Sequence, residues 1–115
     1  MVHIIAGGSG YLGEHLARRL VSKGYEVLVV DRYPPRSGAG YIEHDLREPL
    51  ELDVEGPVIY HLAANPSVKA TMGEVRARFE EELKATLNVA ELARTTDAEL
   101  MVYVSSPTVY GNAQT

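Results

Sequence analysis

Three glycines, Gly7, Gly10 and Gly13, recur at every third position in Gly7-Gly8-Ser9-Gly10-Tyr11-Leu12-Gly13, between an apolar run and a helically periodic one. That spacing suits a turn that holds a pyrophosphate. The first glycine closes the turn, the second lets backbone approach the anion, and the third lets helix and strand pack closely. Free amides and the positive end of the helix dipole then face the ligand, with Tyr11 and Leu12 carried in the same bend. No Gly-Lys-Ser/Thr follows, which excludes a P-loop nucleotide hydrolase. Asp31 lies about 20 residues further on, where a carboxylate can accept hydrogen bonds from the hydroxyls of an adenosine ribose. Its charge would repel a 2′-phosphate, so the pattern points to NAD over NADP. Arg32 beside it offers a guanidinium that accepts phosphate or stacks on adenine. A glycine triplet alone also fits a plain turn, and a strand-end Asp can bond its own turn. The flanking strand, helix and acid favour a cofactor loop.

Those residues need elements to place them. Val2 to Ala6 is an apolar run that reads as a strand buried on both faces. Leu12, Leu16, Leu20 and Val21 make a helix stopped by Gly24, with Glu14 early and Lys23 late to suit the dipole. Strands follow at 25–31 and 41–45, separated by a loop of two Pro and two Gly, and then at 57–64 and 100–104. A long helix is expected over 73–95, with Val75, Phe79, Leu83, Leu87 and Ala90 as its packing stripe and Arg76, Arg78 and 80–82 outward. Alternating strands and helices predict an α/β, Rossmann-type parallel sheet of about five strands with right-handed crossovers. As a doubly wound fold it is incomplete, and its fifth strand should form an exposed apolar edge.

The chain has 115 residues, a net charge of −5, 45% hydrophobic and 23% charged residues, and no cysteine. This is the composition of one globular domain. The acidic balance argues against nucleic-acid and anionic-membrane partners. Absent cysteines exclude disulfides, thiolate metal sites and a thiol nucleophile. No run approaches the ~20 apolar residues of a membrane span, so a cytoplasmic location is expected.

Several segments resemble the extended short-chain dehydrogenase/reductases, the NAD-dependent epimerase/dehydratase group, in that family's order and spacing. They are Ala6 to Gly13, Asp31, His44-Asp45-Leu46-Arg47, His61-Leu62-Ala63-Ala64, Thr86-Leu87-Asn88-Val89 and Val104-Ser105-Ser106-Pro107-Thr108-Val109-Tyr110-Gly111. The resemblance implies an NAD cofactor and, in the complete protein, a nucleotide-sugar substrate. It implies that Asp45 accepts from the adenine amino group and that the Leu46 amide touches the ring. Leu62, Ala63 and Ala64 would lie beneath the ribose and pyrophosphate, and Ser105 would join the cofactor-binding set. Ser106 matches the catalytic hydroxyl, which would hydrogen-bond the sugar oxygen as charge develops there. Asp45 equally suits a cap on a short following helix, and Ser106 suits a serine satisfying its own strand end. His61 reads as a packed structural histidine. His3, His15 and His44 lack ligand spacing, so no metal is expected.

The family's base is a Tyr with Lys four residues later, and no such pair occurs here: Tyr103 leads to Pro107 and Tyr110 to Gln114. That lysine would lower the tyrosine pKa from about 10. The expectation is therefore the N-terminal cofactor part of a nucleotide-sugar epimerase, lacking the Tyr-Lys helix and the substrate domain and inactive alone. The cofactor half of a dehydratase or reductase is the neighbouring reading, and a non-catalytic dinucleotide-binding or assembly module the different one. Glu82 stands where the family usually has Asn, and Pro107 removes an amide donor beside Ser106. The resemblance also implies a homodimer through the 73–95 helix.

Overall fold

The computed structural model describes residues 1–7, 10–62 and 72–104. In chain order they form β1 (Val2–Ala6), α1 (Tyr11–Ser22), β2 (Glu26–Asp31), β3 (Gly40–Glu43), β4 (Val58–Leu62), α2 (Met72–Thr95) and β5 (Leu100–Val104). All four strand pairings are parallel, in the order β3-β2-β1-β4-β5. This is the expected Rossmann-type sheet. The chain leaves β1 toward β2 and β3, then returns to β4 on the other side. Ala6 pairs with both Val30 and His61, so the carboxyl ends of β1, β2 and β4 open at one level. Open α/β sheets bind ligands at such a reversal.

β1 is central, and its alternate side chains feed two cores. Ile4 and Ala6 pack with Val30, Ile59, Val89 and Leu92 beneath α2. Ile5 packs with Ala17, Leu20, Val27 and Val29 beneath α1. α1 ends in a left-handed glycine turn: Gly24 has φ +87° and its N–H donates to the Val21 carbonyl at 2.9 Å. α2 ends without glycine. Asp97 takes the left-handed role at φ 53°, and Thr96 Oγ1 donates to the Leu92 carbonyl at 2.7 Å.

Three expectations are corrected. β2 and β4 each begin one residue later than expected, at Glu26 and Val58, while positions 63 and 64 of the expected fourth strand lie outside the described residues. β3 occupies 40–43 and stops short of Asp45, which closes a turn, its carbonyl accepting from Glu48 N–H at 2.9 Å. The packing face of α2 is also different. Its buried residues are Ala85, Val89 and Leu92, while Phe79 and Leu87 are 68% and 60% exposed. At 3.6 residues per turn, Leu87 and Val89 point about 200° apart. Apolar residues thus run along both sides of α2, and the smaller set faces the sheet. β5 matches its expectation as an edge strand, with Leu100 and Tyr103 about half exposed.

Candidate cofactor site

The glycine bend sits where β1 and β4 end together. Gly7 has φ +85°, and its N–H donates to the Val30 carbonyl at 2.8 Å. A Cβ built on it would lie 3.0 Å from the Leu62 carbonyl oxygen, so a side chain would collide with the end of β4. Gly10 is the N-cap of α1 in extended backbone, with no side chain to satisfy the first-turn amides. A Cβ on Gly10 would meet nothing within 4 Å among the described residues. Among the described residues the bend is therefore closed by protein at Gly7 and open at Gly10, which fits a diphosphate seated on backbone N–H groups. Tyr11 and Leu12 are exposed beside that opening and Gly13 is buried against the sheet. Gly8 and Ser9 lie outside the described residues.

Asp31 ends β2 at the rim. Its Oδ1 accepts from Arg32 N–H at 2.6 Å and Tyr33 N–H at 3.4 Å, while its carbonyl accepts from His44 N–H at 3.0 Å. The carboxylate thus shapes its own turn and stands in the crevice as well. The Arg32 guanidinium lies 5.8 Å from the centre of the Tyr33 ring, a cation–π contact. A cavity of about 150 Å³ is walled by Asp31, Arg32, Asp45, Leu46, Arg47 and Glu81 among others.

Asp45 and Leu46 occupy the loop after β3. Arg47 grips the Asp45 carboxylate through Nε and Nη2 and holds it well below the usual carboxylate pKa range. The Leu46 carbonyl accepts from Asn88 Nδ2 at 2.8 Å, fastening the loop to α2. The bonds around Asp45 close a turn, not a short helix. Leu62 brings its carbonyl to Gly7 from the end of β4. Ala63, Ala64, Ser105 and Ser106 lie outside the described residues.

His61 is 1% exposed, with Nε2 3.0 Å from Thr86 Oγ1 and 3.6 Å from Glu82 Oε1. Burial pushes its pKa down. The Tyr103 ring packs edge-on at 5.3 Å, and burial together with Glu82 pushes the Tyr103 pKa up. Glu82, expected to face outward, instead lies partly buried against His61.

The residues that sequence reasoning missed are those that hold the candidates in place. Arg47 and Asn88 stand inside the motifs already noted, and the Asp-x-Arg spacing was a signal for the grip on Asp45. Glu14 Oε1 accepts from Arg36 N–H at 2.6 Å, which ties the loop after β2 to α1, and nothing local announced it. Among the described residues, no group of three His, Asp or Glu is placed to hold a metal ion, and no helix is long and apolar enough to cross a membrane.

A profile of the NAD dependent epimerase/dehydratase family matches residues 3–115. UDP-glucuronic acid decarboxylase 1 of Danio rerio is 32% identical over 96% of this chain, which spans only 28% of that relative's length. A solved UDP-galactose 4-epimerase is similar over the whole chain and 41% of its own, with a TM-score of 0.80 and 37% identity. The UDP-glucose 4-epimerase of Thermus thermophilus, solved as a complex with NAD, gives a TM-score of 0.69 at 27% identity over 88% of this chain and 36% of that one.

Proposed function

The chain belongs to the NAD dependent epimerase/dehydratase family, and from that premise we propose that it is the cofactor-binding part of a nucleotide-sugar epimerase similar to UDP-glucose 4-epimerase. Its cofactor is NAD. The bend from Gly7 to Gly13 would seat the pyrophosphate on backbone amides. Asp31 would accept from the adenosine ribose, with Arg32 at the rim, and Asp45 and the Leu46 amide would meet the adenine. Leu62, Ala63 and Ala64 would lie beneath the ribose and pyrophosphate, and Ser105 would join the cofactor-binding set. When bound, NAD supplies a reversible hydride acceptor, which lets C4 of the sugar pass through a ketone and be reduced on the opposite face. Ser106 would hold the sugar oxygen as charge develops on it.

The single observation that carries the cofactor reading is the glycine bend, with Gly7 against Leu62 and Gly10 meeting none of the described residues. Similarity over the whole chain to UDP-galactose 4-epimerase supports epimerisation. A decarboxylase is the second reading, because a curated relative of that activity is 32% identical. The 115 residues carry no Tyr-x-x-x-Lys, so the chain by itself should bind NAD and turn over nothing. We place it in the cytoplasm.

α2 offers a surface for a second copy: Phe79, Leu83 and Leu87 form an exposed apolar stripe on the side away from the sheet. A homodimer through this helix would cover it.

Melting the chain against NAD tests the cofactor assignment, since a ligand of the native state must raise apparent stability. A rise that saturates supports it, and no rise at millimolar NAD overturns it. Products formed by the full-length protein separate the two activities: interconversion of UDP-glucose and UDP-galactose means epimerase, and loss of CO2 from UDP-glucuronate means decarboxylase.

A further inference from the structure

The loop after β3 is stitched to α2 at two points. Asn88 Nδ2 donates to the Leu46 carbonyl at 2.8 Å, and Arg47 Nη1 lies 3.4 Å from Glu81 Oε1. Residues 81 and 88 lie two turns apart on one helix face. Between these anchors Arg47 holds Asp45 on one edge. Its Nε is 3.0 Å from Oδ1 and 3.1 Å from Oδ2, Nη2 is 2.6 Å from Oδ2, and its backbone N–H donates to Oδ1 at 3.0 Å.

Two effects compete in explaining such a grip. As a stabiliser it is weak, because the Arg47 and Asp45 side chains are 40% and 33% exposed and solvent screens the pair. As an orienting device it is strong. A guanidinium fork is planar, so it fixes the rotation of the carboxylate as well as its charge. A carboxylate has about four lone-pair sites, and a fork on one edge leaves acceptor capacity on the other. Both residues line the same cavity as Asp31.

We propose that Arg47 is a positioning residue that sets purine selectivity: by locking the Asp45 carboxylate in one orientation, it admits a 6-amino purine and rejects a 6-oxo purine. The proposal rests on the assignment of Asp45 to the adenine amino group. A 6-amino group donates to the fixed carboxylate. A 6-oxo purine sets a carbonyl oxygen against it, and its nearest donor, N1–H, is displaced along the ring edge. A carboxylate free to rotate could follow that donor, but a forked one cannot.

The test titrates the full chain with NAD and with nicotinamide hypoxanthine dinucleotide, following both by calorimetry. The unmodified chain should prefer NAD by about tenfold or more, since a site built around a substrate N–H rejects the analogue that lacks it. Arg47→Gln should compress that preference to within about threefold, mainly by improving the oxo ligand relative to NAD. Arg47→Lys restores charge without the fork and should fall between them. If Arg47→Gln melts well below the parent without ligand, Arg47→Lys decides: an intermediate preference supports the proposal and a parental one overturns it. If Asp45→Asn changes the preference while a folded Arg47→Gln does not, the proposal fails and the adenine assignment stands. If Asp45→Asn leaves the preference unchanged, or neither dinucleotide binds, the assignment and the proposal fall together.

Discussion

Along α1 the residues facing the sheet are Gly13, Ala17 and Leu20, whereas along the longer α2 the buried residues are Ala85, Val89 and Leu92, all in its second half. α1 lies over β1 and β2 with its apolar periodicity turned inward. α2 touches the sheet beside β4 and carries Phe79, Leu83 and Leu87 on its outer side. The comparison teaches that apolar spacing announces a helix without saying which side will pack. Ala85 and Val89 let α2 approach the β1–β4 region closely, and the larger residues are left for a different surface.

The largest effect should come from that inner face. Leu92→Ala empties a fully buried position and should cost about 2–5 kcal/mol in urea unfolding, while Leu83→Ala should stay within about 0.5 kcal/mol. Equal losses would mean that the outer face is also core. Next comes a contrast within the glycine bend. Gly7→Ala should cost about 1–3 kcal/mol, because it puts a side chain at positive φ against the Leu62 carbonyl. Gly10→Ala should cost under about 1 kcal/mol in stability yet weaken NAD binding, its methyl group projecting into the open side of the bend. Stability and calorimetric affinity measured on both variants would separate the two roles.

A smaller effect follows pH. Burial lowers the pKa of His61 in the folded chain, so the unfolded chain binds its proton first. Stability is then full above the ordinary histidine value of 6.5 and declines as pH falls through it, by at most about 1.4 kcal/mol per unit for this residue. His3, whose Nδ1 lies 2.9 Å from the Tyr60 hydroxyl, has its pKa lowered by burial and the nearby N-terminus and adds in the same direction. His61→Gln should flatten the decline of the urea midpoint below neutral pH, and an unchanged slope would exclude His61 as its source. The smallest effect on folding is expected from Leu83→Glu on the outer face. It should leave the melting temperature near the parent's and shift sedimentation toward monomer, and an unaltered sedimentation profile would remove α2 as the dimer surface.

Much of the architecture was legible in the residues. Ile4 and Ile5 in an unbroken apolar run predicted a strand buried on both faces, and both are fully buried. The local settings of Gly7, Gly10 and Asp31 were legible because they depend on neighbouring backbone: φ of +85° at Gly7, a bare N-cap at Gly10 and a carboxylate at a strand end. The orientation of α2 was not legible, since apolar residues occur on both sides and the choice depends on how closely β4 can be approached. Glu82 looked solvent-facing until His61 was brought beside it from β4.

The sequence by itself determined the order of strands and helices, the glycine bend and the acid at the end of β2, because these depend on backbone freedom and periodicity over a few residues. Only the tertiary structure decided that Leu62 backs Gly7, that Asn88 and Glu81 hold the Asp45 loop, and which side of α2 is core. Those are contacts between residues dozens of positions apart. Their energies depend on distances set only once the sheet has assembled.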